Sequence, residues 1–128
     1  MAREAEVTIE LLEELVDAFN RHDLDRIVGP FAADGEFLLA AGPETWGATF
    51  QGRAAIRQAL SQRFAAVPDI RWQDGSHWIM GNKALSEWRV GGTLPSGERL
   101  DCPGCDLWEF ADGKVTKKDS YDKQVIRD

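Results

Sequence analysis

The sequence predicts an α+β domain, with helices first and a curled antiparallel sheet after them. Three observations predict it. Apolar residues recur at helical spacing in two stretches before Pro68. From Ile70 onward the period of the pattern drops to two. The turn signals Gly81-Asn82, Pro95 to Gly97 and Asp112-Gly113 then divide the second half into four long segments of a meander.

Each element follows in order. Ile9, Leu12, Val16 and Phe19, widened by Leu11 and Leu15, predict a first helix from about Thr8 to Arg21. Thr8 suits its cap and Glu10 its positive first turn. The pattern stops between Asn20 and Asp23, where His22 helps to end the helix. A short second helix is expected from Asp23 to Val28, stopped by Gly29-Pro30. Glu36 to Ala41 reads as a short strand after an Asp34-Gly35 turn, and Ala41 to Gly47 as a loop. Ile56, Leu60 and Phe64 share one face of a third helix that starts near Arg53, with Arg53 and Arg57 as solvated charges beside it.

In the second half, Ile70, Trp72, Ser76 and Trp78 alternate against Arg71, Gln73 and His77. In the next strand, Ala84, Ser86, Trp88 and Val90 oppose Leu85, Glu87 and Arg89. A third strand from Arg99 to Phe110 is interrupted near Pro103-Gly104, and Lys114 to about Val125 returns as the last. Such a sheet needs cover on one face, which the first and third helices supply. Long strands broken by Gly and Pro curl, and a curled sheet closed by helices makes a cone with an internal pocket. The outer face is then open to a partner.

Composition narrows the function. With 128 residues and 43% hydrophobic content, residues 1–128 are expected to form one domain. Twenty-two acidic against 15 basic residues give a net charge of −7, which argues against nucleic acid and anionic membrane as partners. The apolar runs are too short to span a bilayer, and MAREAEVTIE carries no apolar signal segment. Two cysteines fit a reducing compartment, hence a cytoplasmic location. There is no phosphate loop, serine elbow or zinc-hydrolase pair, so no cofactor and no metal are expected.

Several stretches carry a resemblance. They are Phe31-Ala32-Ala33-Asp34-Gly35, Phe50-Gln51-Gly52-Arg53 with Ala55-Ile56-Arg57, Glu87-Trp88, Asp106 to Phe110, and Asp112-Gly113-Lys114-Val115. Their order over nearly the whole chain resembles the SnoaL-like polyketide cyclase branch of the NTF2-like (ketosteroid-isomerase-like) superfamily. The resemblance implies a cystatin-like cone with a pocket at its open end and a homodimer paired through the sheet. It implies isomerase, cyclase, dehydratase, epoxide hydrolase or purely ligand-binding roles. Asp106 matches the isomerases' protonated aspartate. The position of their proton-abstracting aspartate falls near Leu39 or Ala40, and that of their tyrosine near Phe19, so their own mechanism is not expected. Arg89 and Asp101 supply ingredients of the epoxide hydrolase arrangement, a minor alternative.

Asp106 is the leading catalytic candidate, as acid, base or hydrogen-bond donor with a pKa raised by burial. His77, Glu87 and Arg89 are candidates to stabilise charge or place a water. Trp108, on the parity of Asp106, is expected in the substrate pocket with Tyr121, Trp46, Phe19 and Leu39. Cys102 and Cys105 read as flanking a bulge that points one thiol inward, with a disulfide or metal role as the other possibility. Lys114, Lys117 and Lys118 read as a solvated strand edge. The function expected is that of a cofactor-independent pocket enzyme for a small apolar substrate bearing a carbonyl or hydroxyl. The rival is a noncatalytic ligand-binding or dimeric interaction domain.

Overall fold

In the computed structural model, which describes residues 6–126, helix α1 (Ile9–Asn20) begins where its cap was expected. The Thr8 hydroxyl accepts from the Leu11 N–H at 3.1 Å, and Leu12, Leu15, Ala18 and Phe19 form the buried face. His22 adopts a left-handed φ of 53° just past the last turn. Its ring stacks on Phe64 while Nε2 meets the Ile70 carbonyl. Asp23 caps α2 (Leu24–Val28), which buries Ile27 and Val28. Helix α3 (Arg53–Ala66) buries Ile56, Leu60 and Phe64, as its spacing requires. Arg53 and Arg57 are engaged rather than merely solvated. Arg53 donates to the Phe31 carbonyl at 2.8 Å, and Arg57 pairs with Asp25 of α2.

Among the described residues, six strands make one sheet in the order β2-β1-β6-β5-β4-β3. They are β1 (Phe31–Leu38), β2 (Thr49–Gln51), β3 (Arg71–Met80), β4 (Lys83–Thr93), β5 (Arg99–Ala111) and β6 (Lys114–Asp122). The helices cover its inner face, in the mixed α+β cone of the NTF2-like and cystatin-like fold. Neighbouring strands are antiparallel except β1 and β6, which run parallel. Strand β1 starts five residues before the expected Glu36. Asp34-Gly35 is therefore an irregularity within a strand and not a turn, and a Cβ at Gly35 would stand 2.9 Å from the Val115 carbonyl. Strand β2 has only three residues, too few to show an alternation.

Three register features decide which side chains enter the cone. Strand β5 pairs with β4 without interruption from Arg99 to Glu109, so the expected break at Pro103-Gly104 is absent. The Pro103 carbonyl accepts from Lys123 N at 3.0 Å, so the missing N–H of the proline points to the side where β6 ends and costs the β4 ladder nothing. One extra residue enters β3 between Gln73 and Ser76, where Asp74 takes a φ of 58°. Another enters β6 at Thr116, between Val115 and Lys117. Beyond each bulge the inward and outward faces exchange.

Candidate functional site

The bulge in β6 builds the site. Val115 faces the core, and simple alternation from it would send Lys117, Asp119 and Tyr121 inward. With Thr116 as the extra residue, Lys118, Ser120 and Asp122 point inward instead. They form the polar wall of a cavity of about 640 Å³ between the inner face of the sheet and helices α1 and α3. Phe19, Phe37, Phe50, Trp72, Trp88 and Leu39 make most of its apolar wall.

Lys118 is buried, and its side chain and that of Asp106 are each 5% exposed. The Nζ donates to Asp106 Oδ1 and to Ser120 Oγ, both at 2.9 Å. It also lies 4.5, 4.8 and 5.5 Å from the ring centroids of Phe37, Phe19 and Trp108. Asp106 takes two further bonds, from Ser120 Oγ at 2.6 Å and from Trp88 Nε1 at 2.9 Å. Trp88 reaches it because Gly104 is its cross-strand partner. A Cβ at Gly104 would stand 2.6 Å from the indole. An indole N–H and an ammonium have no acceptor to offer, so this geometry makes Asp106 a hydrogen-bond acceptor and sets aside the donor role among the three offered from sequence, acid, base or donor. Asp106 borders a second, small space of about 10 Å³, also lined by Val16 and Trp108. It meets the main cavity through Lys118 and Ser120, which touch both.

Asp122 is one of three carboxyls on the cavity wall, with Glu98 and Asp101. Burial pushes its pKa up and the charge of Asp106 adds to this, while Arg63 and the Gln124 amide oppose it.

The other sequence candidates divide by face. Phe19 and Leu39 line the cavity. Trp108 is buried in the wall of the small space, with its Nε1 donating to Ser86 Oγ at 2.9 Å. His77 faces inward because of the β3 bulge and meets that same hydroxyl through Nδ1 at 2.7 Å. Burial lowers its pKa, opposed by the charges of Glu13 and Asp106. Its partner Ser86 is fully buried, so His77 braces the sheet behind the site.

Glu87 and Arg89 are exposed on the outer face, opposite the buried parity of Ser86, Trp88 and Val90, so a direct role in the cavity is corrected. Arg89 does meet Asp101 in a bidentate pair at 2.6 and 2.8 Å, but its side chain is 59% exposed, outside the enclosed setting that epoxide hydrolysis requires. Tyr121 also faces outward, 52% exposed, with its hydroxyl on Asp119. Trp46 is 63% exposed in the β1–β2 connection and leaves the cavity wall to Leu39, Ala40 and Ala41. Cys102 faces the cavity, whereas Cys105 lies on the outer face. Burial raises both thiols, and three residues along an extended strand hold them about 10 Å apart, too far for a disulfide with each other.

Sequence reasoning missed Lys118 and Asp122. The legible signal was the alternation Lys118, Ser120, Asp122, but its face depended on the bulge. Among the described residues, no cluster of His, Cys, Asp and Glu is placed to hold a metal ion. No helix among them is long and apolar enough to cross a membrane.

Solved structures share this architecture. A protein of Xanthomonas campestris pv. campestris, provisionally named a polyketide cyclase, superposes with a TM-score of 0.77 at 24% identity, over 88% of this chain and 87% of its own. A protein of Catenulispora acidiphila with a ketosteroid isomerase-like fold, in complex with trimethylamine, gives 0.78 at 21%, over 90% and 86%. TerC, co-crystallised with polyporic acid, gives 0.77 at 20%, over 90% of each chain. No curated protein matches the sequence significantly. The SnoaL-like domain family matches residues 12–118, which run from the buried face of α1 to the cavity lysine, and the chain belongs to that family.

Proposed function

We propose that this chain is a cofactor-independent enzyme that moves a proton beside the carbonyl of a small, largely apolar substrate, as a cyclase, isomerase or dehydratase does. The observation that carries this is the Lys118 ammonium, fixed by Asp106 and Ser120 on the polar wall of a cavity that also presents Phe19, Phe37, Phe50, Trp72 and Trp88. Removal of a proton next to a carbonyl leaves the electron pair as an enolate, and the charge collects on the oxygen. A fixed cation in a water-poor cavity stabilises that charge without reorganisation. Asp122 takes the proton and returns it at another carbon. Its raised pKa brings its basicity closer to working pH. Alternate side chains on a strand lie roughly 6.6 Å apart, so the ammonium bound at Ser120 and the Asp122 carboxylate bracket one small ring. Trp72, Trp88 and Phe50 supply flat walls for it. That proteins of this fold were crystallised with polyporic acid and with trimethylamine supports a small-molecule ligand.

The test is deuterium exchange. Aryl ketones and hydroxyquinones that bind the protein are incubated in D₂O, and loss of the α C–H signal is followed by NMR. Exchange is expected to run above buffer and to fall on the order of 100-fold in Lys118→Met and in Asp122→Asn. A ligand that binds in the cavity yet exchanges at the buffer rate would sink the enzyme reading in favour of a binding domain.

We also infer that two copies pair through the outer face of the sheet. Trp78, Leu85 and Leu107 are cross-strand neighbours there, with Met80 and Tyr121 beside them. Trp78 is 49% and Met80 63% exposed, and such a contiguous row is unusual on a surface that stays in water.

A further inference from the structure

We infer that Lys118 is a tethered ammonium occupying an ammonium-binding cage within its own cavity, so that the protein selects aromatic ligands with an anionic end and excludes cationic ones of the same shape. Three aromatic rings and a carboxylate around one point are the donor set that captures an ammonium ligand. Here Phe19, Phe37 and Trp108 lie within 5.5 Å of Nζ and Asp106 stands at 2.9 Å, so the chain itself supplies the cation. A ligand entering the main cavity meets Lys118 on the wall, with Asp106 behind it. A ligand cation therefore finds the cage filled and a like charge in front of it. A ligand anion finds a donor: an ammonium carries three N–H bonds, and two of them go to Asp106 and Ser120.

Other charges on the cavity lining do not decide the sign. Arg63, Arg99 and Lys123 are balanced there by Glu98, Asp101 and Asp122. Arg99 also pairs with Asp69, and Asp101 with Arg89. Selection by charge therefore falls to the buried lysine. This rests on the cavity being the ligand site, as proposed above, but not on turnover.

The experiment uses two probes on one ring system, naphthalene-2-carboxylate and 2-naphthyltrimethylammonium, titrated by calorimetry into the wild type, Lys118→Met and the double variant Asp106→Asn/Lys118→Met, whose ratio of affinities is the reference for the probes' difference in size. The wild type is expected to bind the carboxylate at least about tenfold tighter than the ammonium probe. Lys118→Met empties the cage beside Asp106 and is expected to invert the order. The double variant removes both charges and is expected to show no preference. It decides the question if the single variant does not fold. Equal or tighter binding of the ammonium probe to the wild type overturns the inference. So does a carboxylate preference that survives in either variant, or binding of neither probe to the wild type. Charge selection without deuterium exchange would leave this inference standing and remove only the enzymatic reading.

Discussion

At the scale of single residues, the site depends on a buried ion pair whose members are unequal in what their loss exposes. Lys118→Met alone leaves the Asp106 carboxylate buried without its cation, and unfolding by denaturant is expected to show a loss of about 3–5 kcal/mol. Asp106→Asn/Lys118→Met removes both charges and is expected to cost less than the single change, because no charge is stranded. If the single variant is the more stable, the pair is not what holds this wall. Trp88→Phe keeps a ring against the cavity but deletes one N–H to a carboxylate, and about 1.5–3 kcal/mol is expected to go with it. The inward placement of Asp106, Phe19 and Leu39 was legible from their place in the chain. That of Lys118 was not. It stands in a run of Lys117, Lys118 and Asp119 that reads as a wet strand edge. Nothing local reveals that three rings and a carboxylate from other elements surround its end.

At the scale of elements, the helices were legible because their signals are local. The Thr8 cap, the α1 stripe and the Ile56, Leu60, Phe64 row of α3 stand where their spacing puts them. Thr8→Ala is expected to cost about 1 kcal/mol by thermal or chemical unfolding. The four strands after Ile70 were legible in rough extent but not in face, because a single extra residue reverses everything beyond it, while β1 was expected only from Glu36 and β2 was not expected as a strand. His77 was assigned to the face of Arg71 and is found opposite Ser86. Trp78 was assigned to the face of Trp72 and is found on the outer surface. The β6 bulge allows a sharp check. Deleting Thr116 from a bulged strand leaves Val115 and Lys118 on one face in regular alternation, so the variant is expected to fold and to keep its charge selection. In an unbulged strand the same deletion would reverse the face of every residue beyond Val115, and loss of the fold on deletion would refute the register described here.

At the scale of the molecule, two titrations oppose each other. Burial holds the His77 pKa below its ordinary 6.5, so the unfolded chain binds more protons there. Stability from this group is complete above about pH 6.5 and falls as pH drops toward the folded pKa. Asp122 is raised above 3.8, so its contribution is complete below that pH and is lost as pH climbs through the folded value. Because the two have opposite signs, the His77 part is read by difference: between pH 7.5 and 5, acidification is expected to lower the denaturant midpoint of the wild type by more than that of His77→Gln. An unchanged slope would assign the fall elsewhere. For the outer face, Leu107→Lys places a charge within the exposed apolar row and is expected to convert a dimer into a monomer in sedimentation equilibrium. A wild type that sediments as a monomer at all concentrations tested would remove the dimer.

The sequence by itself determined the class of fold, the order of the three helices and of every strand but β2, the turns at Gly81-Asn82 and Asp112-Gly113, and the resemblance to the SnoaL-like family. These follow from periodicity and turn chemistry, which act within a few residues. Tertiary structure alone decided which side of the sheet each strand presents, that β1 runs parallel to β6, and that a lysine and not a tyrosine faces the cavity. The physical reason is that a bulge forms where a strand must match two neighbours at once. Val115 and Lys117 each pair with both β1 and β5; Thr116 is the surplus residue against β5, whereas against β1 the surplus lies in β1 between Phe31 and Glu36.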